Sequence, residues 1–214
     1  MIVKVQGQQL HLHPHRAIYW VEEDCLLIAD LHLGKAAHFR KEGLAAPAAI
    51  MRQNLQVLRE LLEAFEPSRV LFLGDLFHSR INRVWEAFVD LIWDFGEISF
   101  ELVQGNHDIL PHGFYEQAAL KLYTEPLILP PFIFSHYPLE GYPKDLYNLY
   151  GHLHPGVLLE GLGKQELRLP CFHFGQRQAV LPAFGQFTGL AIIQPKRSDR
   201  VYVIAEGEVL AVGS

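Results

Sequence analysis

The stretch Leu26-Leu27-Ile28-Ala29-Asp30-Leu31-His32-Leu33-Gly34 decides how the rest of the chain is read. A short apolar run breaks abruptly into Asp-x-His and then a glycine. Such a run reads as a strand buried on both faces. In an extended chain successive side chains alternate, so Asp30 and His32 are expected on one side and Leu31 on the other. A carboxylate and an imidazole so placed can grip a cation at the carboxyl end of a strand, where open α/β sheets carry their ligands. In isolation the pattern carries little weight, because an aspartate at a strand exit is also a common helix cap. Four similar breaks further along give it meaning.

Downstream, a basic loop holds Lys35, His38, Arg40 and Lys41, and Pro47 then opens a helix. Ile50, Asn54, Leu55, Leu58, Leu61, Leu62 and Phe65 recur at three- and four-residue steps and predict an amphipathic helix ending before Pro67. Val70 to Leu73 is the next buried strand, running into Gly74-Asp75. A second helix is expected to face inward with Val84, Ala87, Phe88, Leu91, Ile92 and Phe95 and to stop at Gly96. Ile98 to Val103 is a third strand, leading into Gly105-Asn106-His107-Asp108. Strand and helix thus alternate as βαβ units do.

The rest of the chain has strand patterns punctuated by Gly and Pro: Leu127 to Leu129, Phe132 to Ser135, Leu146 to Tyr150, Leu167 to Phe174, Gln178 to Leu181, Leu190 to Gln194 and Val201 to Ala205. Two of them end in histidines, Ser135-His136 and Gly151-His152-Leu153-His154. Upstream of the opening stretch, Ile2 to Val5 and Ala17 to Val21 read as short strands. Between them His11-x-His13-x-His15 has metal-chelating spacing but no accompanying carboxylate, so it reads as edge-strand surface. No repeat, low-complexity tract or linker appears. One α/β domain over 1–214 is expected, with two packed sheets, helices outside, and the C-terminal half supplying most of the second sheet.

Bulk properties narrow the function. The 214 residues are half hydrophobic, enough for a full core. With 18 basic and 24 acidic residues, net charge −6, the chain is no polycation that coats nucleic acid, and any phosphate contact must be a local patch. Cys25 and Cys171 form no disulfide framework and no CxxC site, and are expected reduced and buried in a cytoplasmic protein. No signal-peptide pattern opens the chain, and no apolar run approaches the length of a membrane span.

Five apolar runs therefore end in metal-ligand types: Asp30/His32, Asp75, Asn106/His107, His136 and His152/His154. Glycine precedes three of them, at Gly74, Gly105 and Gly151, allowing close backbone approach. A mixed Asp, Asn and His set without thiolate suits Mn²⁺, Fe, Zn²⁺ or Ni²⁺ better than Ca²⁺ or Mg²⁺. Seven ligands are too many for one tetrahedral ion and right for two ions sharing a carboxylate, about 3.5–4 Å apart in two-metal hydrolases.

In order and over most of the chain, Asp30-x-His32, Gly74-Asp75, Gly105-Asn106-His107-Asp108, Ser135-His136 and Gly151-His152-x-His154 resemble the calcineurin-like metallophosphoesterases. The resemblance implies a four-layer αββα sandwich of two mixed β-sheets flanked by helices. It implies that Asp30, His32 and His154 hold one metal, Asn106, His136 and His152 the second, and that Asp75 bridges them. His107 would be the general acid, with Asp108 orienting it. Two dications against two carboxylates leave about +2, which attracts phosphate and acidifies a metal-bridging water to a hydroxide nucleophile.

Finer motifs, Ala17-Ile18-Tyr19-Trp20, Asp30 to Ala37, Gly74 to Ser79, Leu169 to Phe172 and Leu181 to Gly189, resemble the bacterial ligase-associated DNA damage response endonucleases. The expectation is then Mn²⁺-dependent phosphodiester hydrolysis of DNA, single-stranded or damaged and not sequence-specific. An ATP-dependent ligase, a helicase and an exonuclease of the same pathway are the implied partners, with homodimer formation left open. Lys35, His78 and Arg80 are candidate substrate contacts, and Arg40, Lys41 and Arg83 join them in a basic lip. His38 and His112 are expected on loops near the site and His173 on a strand of the second sheet. The Tyr137-Pro138 continuation after His136 departs from the smaller, more polar residues of many relatives, a change expected to bear on substrate contacts and to touch no ligand. The alternatives are a phosphatase or phosphodiesterase acting on small nucleotides, and a non-catalytic scaffold that should have lost ligands or the general acid.

Overall fold

The computed structural model describes residues 1–34, 48–78, 83–160, 165–186 and 188–212. The first sheet contains β1 (Ile2–Val5), β2 (Gln8–His13), β3 (Ala17–Trp20), β4 (Cys25–Ile28), β5 (Arg69–Leu73), β6 (Ser99–Val103) and β7 (Leu120–Tyr123), in that spatial order. The first four strands pair antiparallel, and β4 through β7 pair parallel. Helices α1 (Ala48–Phe65), α2 (Arg83–Asp94) and α3 (His112–Gln117) supply the crossovers between parallel strands.

The opening stretch does what its apolar run predicts. Along β4 and into the loop, Leu26 and Ile28 face the helices while Cys25, Leu27 and Ala29 face the second sheet. The same alternation repeats in β5, with Val70 and Phe72 on one side and Leu71 and Leu73 on the other. Period two in a strand buried on both faces requires apolar residues at every position, so the sequence shows a run and no alternation.

Helix α1 buries Asn54, Leu58, Leu61 and Leu62 and ends ahead of Pro67, as expected. Helix α2 needs a correction. Its buried face is Trp85, Phe88, Leu91 and Ile92, whereas Ala87 is exposed. The large indole takes the inner position one helical turn before Phe88, and a methyl group offers little reason to displace it. Arg83, expected on a rim loop, is the exposed first residue of this helix.

The second sheet runs β14 (Ala191–Ile192), β11 (Pro155–Glu160), β12 (Glu166–Phe174), β13 (Gln178–Val180), β10 (Tyr147–Tyr150), β9 (Phe132–Ser135) and β8 (Leu127–Leu129). Off this path β15 (Arg200–Ala205) pairs with β12, and β16 (Glu208–Val212) pairs with β15. Phe132, Phe134, Tyr147, Leu149, Phe172 and Phe174 point from it onto the first sheet, with Trp20 4.9 Å from the Phe132 ring. The two mixed sheets form the expected α/β sandwich, and the three helices pack with the first sheet. Outside the second sheet lies a small cluster of Val157, Cys171, Val201 and Val203. His173 lies on β12, as expected.

Four strands are additional to the sequence reading: β2, β7, β11 and β16. In β2 the alternation Leu10-His11-Leu12-His13 is complete, and its histidines, expected on an edge strand, lie one strand in because β1 pairs outside them. Strand β11 begins with Pro-Gly, a breaker pair tolerated here because proline occupies the first strand residue. Cys25 and Cys171 are free and buried, and burial pushes both thiols up to about 12. Among the described residues no helix is long and apolar enough to cross a membrane.

Candidate metal centre

Strands β4, β5 and β6 end side by side, and the loops that leave β4 and β5 stay paired. The Asp30 N–H donates to Gly74 O at 3.2 Å, His32 N–H to Asp75 O at 2.9 Å, and Leu33 N–H to Leu76 O at 2.9 Å. This places the Asp30 and Asp75 segments in register beyond the sheet. The expected strand-like alternation of Asp30 and His32 is not what aims them. Strand β4 stops at Ile28, and Asp30, His32, Asp75, His152 and His154 all have positive φ, between 48° and 67°. Left-handed backbone costs a residue with a side chain roughly 1–2 kcal/mol, and such strain concentrates at functional sites. Five of the seven expected ligands carry it.

Close approach to a neighbouring carboxylate needs glycine at two of the exits. A Cβ at Gly151 would lie 2.7 Å from Asp30 Oδ2 and 2.9 Å from Leu73 O. One at Gly105 would overlap the Asp75 backbone nitrogen and its Oδ1. Both glycines let a loop slide against a carboxylate of the neighbouring loop.

All seven expected ligands meet. Among the described residues Asp30, His32 and His154 form one group, and Asp75, His136 and His152 another, with ligand atoms within 4.8 Å of one another in each. His32 Nε2 and His154 Nε2 are 3.2 Å apart, and His154 Nε2 is 3.5 Å from Asp30 Oδ1. In the second group His152 Nδ1 is 3.1 Å from His136 Nε2, which is 3.2 Å from Asn106 Oδ1. Asp75 lies between them, Oδ2 3.8 Å from His32 Nε2 and Oδ1 3.4 Å from His136 Nε2. His136 Nδ1 is 3.0 Å from Leu73 O and must donate to that carbonyl, leaving the Nε2 lone pair turned inward. Asp30 Oδ1 is buried with no hydrogen-bond donor. Converging imidazole lone pairs around an unsatisfied carboxylate oxygen are a poor arrangement by themselves and a good one around cations. Burial and the neighbouring His136 hold His152 below the usual imidazole range, which keeps its lone pair available.

His107 sits at the edge of this cluster. Its N–H donates to Asp75 Oδ1 at 2.9 Å, its Nε2 is 3.9 Å from Asp75 Oδ2, and its side chain is 41% exposed. The His78 ring packs on it at 3.7 Å between centroids and lies 5.3 Å from that of His32. Asp108 differs from expectation. Its buried carboxylate accepts the N–H groups of Gly105 at 2.8 Å and Phe77 at 3.1 Å, so it fixes the loop that carries His107 and the start of the His78 segment. Burial pushes that carboxyl up to about 6. His112 opens helix α3 and pairs with Glu116 at 3.2 Å. Lys35, His38, Arg40, Lys41 and Arg80 lie outside the described residues.

Two features escaped the sequence reading. Tyr137, expected to touch no ligand, reaches back to the cluster, its hydroxyl donating to Asn106 Oδ1 at 2.9 Å and its ring packing 4.4 Å from His152. The Leu181 to Gly189 motif carried resemblance but no role. Within it, Phe184 N–H donates to Ala29 O at 2.9 Å and Gly185 N–H to Asp30 O at 3.1 Å, while Leu181 N–H donates to Tyr150 O at 2.9 Å. It straps the backbone behind Asp30 to the strand leading into His152 and His154. Both features are long-range contacts without local signature.

Comparison with known proteins follows the same lines. A family model for calcineurin-like phosphoesterases matches residues 25–207. Among solved structures, the nuclease MPE of Pseudomonas putida is 31% identical, with 99% of each chain covered and a TM-score of 0.85. A protein of unknown function from Aquifex aeolicus is 18% identical over 61% of this chain and 78% of its own, with a TM-score of 0.42. The phosphoesterase YfcE of E. coli is 12% identical over 87% and 96%, with a TM-score of 0.44. No curated protein matches the sequence significantly. The chain belongs to the calcineurin-like phosphoesterases and is a metal-dependent phosphoester hydrolase.

Proposed function

We propose that the protein is a single-domain, Mn²⁺-dependent phosphodiesterase of the cytoplasm that cuts single-stranded or damaged DNA in ligase-associated repair. The observation that carries this reading is Asp75, one carboxylate reaching toward both groups of imidazoles with His107 beside it. Asp30, His32 and His154 would hold one ion, Asn106, His136 and His152 the other, and Asp75 both. Held by these residues, two divalent ions would supply neutralisation of phosphate charge and acidification of water. DNA as substrate is supported by the finer motif resemblance and by likeness to a nuclease.

The protein's own groups supply the rest. His107 is held at its backbone by Asp75 and stays half-exposed at the ring, so it can reach a substrate oxygen and protonate the leaving group. His78, packed against it, limits the positions that ring can take and is near enough to share contact with a bound phosphate. Asp108 holds the loop and acts on His107 only through the backbone. Lys35 and Arg80 remain proposed phosphate contacts.

The test is nuclease activity of Mn²⁺-reconstituted protein on single-stranded, nicked and duplex DNA, with mononucleotides as competitors and Asp75→Asn as control. His107→Ala should keep its metal and lose about 10²–10⁴-fold in DNA cleavage. Its loss on bis-p-nitrophenyl phosphate should be much smaller, since that leaving group needs little protonation. Equal losses on both substrates would remove His107 from this role. Efficient hydrolysis of nucleotides with none of DNA would favour the small-molecule reading.

A further inference from the structure

The two halves of the cluster are braced differently. Behind Asp30, the bracing is backbone: Gly185 N–H on Asp30 O, and His152 N–H on Asp30 Oδ2 at 2.8 Å. Around the other half, where Leu73 O holds His136 at 3.0 Å, a single side chain touches three of the ligands. Tyr137 donates its hydroxyl hydrogen to Asn106 Oδ1 at 2.9 Å, and its ring packs 4.4 Å from His152 and 4.7 Å from His136. It thereby touches Asn106, His136 and His152, the three residues assigned to the second ion alone.

We propose that Tyr137 is a positioning residue that sets the affinity of the second metal subsite and leaves the first unaffected. This rests on the dinuclear reading above. A carboxamide can present either its oxygen, which ligates a cation, or its NH₂, which does not. The oxygen has two lone pairs, so Tyr137 can occupy one while the other faces His136 Nε2 at 3.2 Å. The hydroxyl thus favours the ligating orientation of Asn106 before an ion arrives. Outer partners of this kind typically change metal affinity 10–100-fold. The phenol is 45% exposed, so a substitution there need not disturb the core.

The experiment is a Mn²⁺ titration of the full chain, followed by calorimetry and by the electron paramagnetic resonance signal of free and spin-coupled Mn²⁺. Wild type, Tyr137→Phe, Asn106→Ala and the double variant are compared. Wild type should bind two ions. Tyr137→Phe, which keeps the ring, should bind the second about 10-fold more weakly and the first as wild type does. The double variant should be no weaker than Asn106→Ala alone, since the hydroxyl acts through that carboxamide. Unchanged second-ion affinity in Tyr137→Phe, or equal weakening of both ions, overturns the proposal while two ions in wild type keep the dinuclear reading. A wild type that binds fewer than two ions overturns that reading first. Matching melting temperatures of metal-free wild type and Tyr137→Phe keep a folding defect from imitating the effect.

Discussion

Two parts of this molecule place histidines at alternate positions, and only one of them gathers ligands. On β2 and the turn after it, His11, His13 and His15 follow one another at every second residue. The His11 and His13 rings each lie 5.6 Å from the Phe65 ring of α1, and His13 Nδ1 accepts the His15 N–H at 3.2 Å. The His13 Nδ1 lone pair is spent on backbone, and among the described residues the three histidines form no ligand group with a carboxylate. His152 and His154 have the same spacing but left-handed backbone, and the Asp30 carboxylate lies against both, accepting the His152 N–H and facing His154 Nε2. Spacing alone therefore does not make a metal centre. Convergent carboxylates and a backbone bent to meet them do.

The sharpest way to break this contrast is to remove one member of each region. Asp75→Asn should cost about a thousandfold in hydrolysis of bis-p-nitrophenyl phosphate, the equivalent of several kcal/mol of charge stabilisation. Its metal content after desalting should fall as well. His13→Ala should retain wild-type metal stoichiometry and turnover within about twofold. A lowered metal content in His13→Ala would make the β2 histidines a third site and undo the comparison.

A smaller effect tests whether loop contact, more than ligand identity, makes the centre. Gly151→Ala forces a methyl group to 2.7 Å from Asp30 Oδ2 without changing any ligand. Metal affinity should drop by about 10–100-fold, read by competition with a fluorescent chelator. At Gly113, in α3, an added Cβ meets nothing within 4 Å. Gly113→Ala should bind metal as wild type and melt at the same temperature or slightly higher, because alanine is the better helix former. Equal behaviour of the two variants would mean that Asp30 is not held by the Gly151 contact.

The parts legible in the sequence were those with a local signature. Buried parallel strands advertise themselves as apolar runs, so β4, β5, β6, β9 and β10 and their polar exits could be placed, and with them all seven candidate ligands. The same logic located α1 and its stop before Pro67. What could not be read depends on distant partners. Nothing in Asp30-Leu31-His32 announces positive φ, which the neighbouring Gly74–Leu76 segment imposes through its carbonyls. Asp108 follows His107 directly, yet its carboxylate turns to Phe77 and Gly105. Tyr137 departs from the family pattern, and only the fold reveals that the departure lands on Asn106. On α2, Val84 and Phe95 pack at the margin of the buried stripe as expected, and only the step to Ala87 in place of Trp85 misleads, since Ala87 follows Val84 and Trp85 precedes Phe88 at the same helical spacing.

The smallest expected effect separates the two histidine regions by pH. Packing against Phe65 removes water from the His13 ring, and the nearby His15 and His11 add repulsion, so its pKa is lowered to about 4. An unfolded histidine titrates near 6.5. Between these values the unfolded chain binds a proton at His13 that the native chain refuses. The native state therefore has its full advantage above about pH 6.5 and loses it as pH falls toward 4. Discounted for a ring that is only about half-buried, the cost is about 1 kcal/mol, or roughly 2–4 °C in melting temperature for a chain of this size. Metal-free wild type and His13→Gln should accordingly differ more at pH 7.5 than at pH 5, with the variant losing less on acidification. Every other group is common to the two proteins and cancels from the difference. A variant that loses as much as wild type would place His13 in water and free its lone pairs, and the β2 histidines would again be candidates for a ligand.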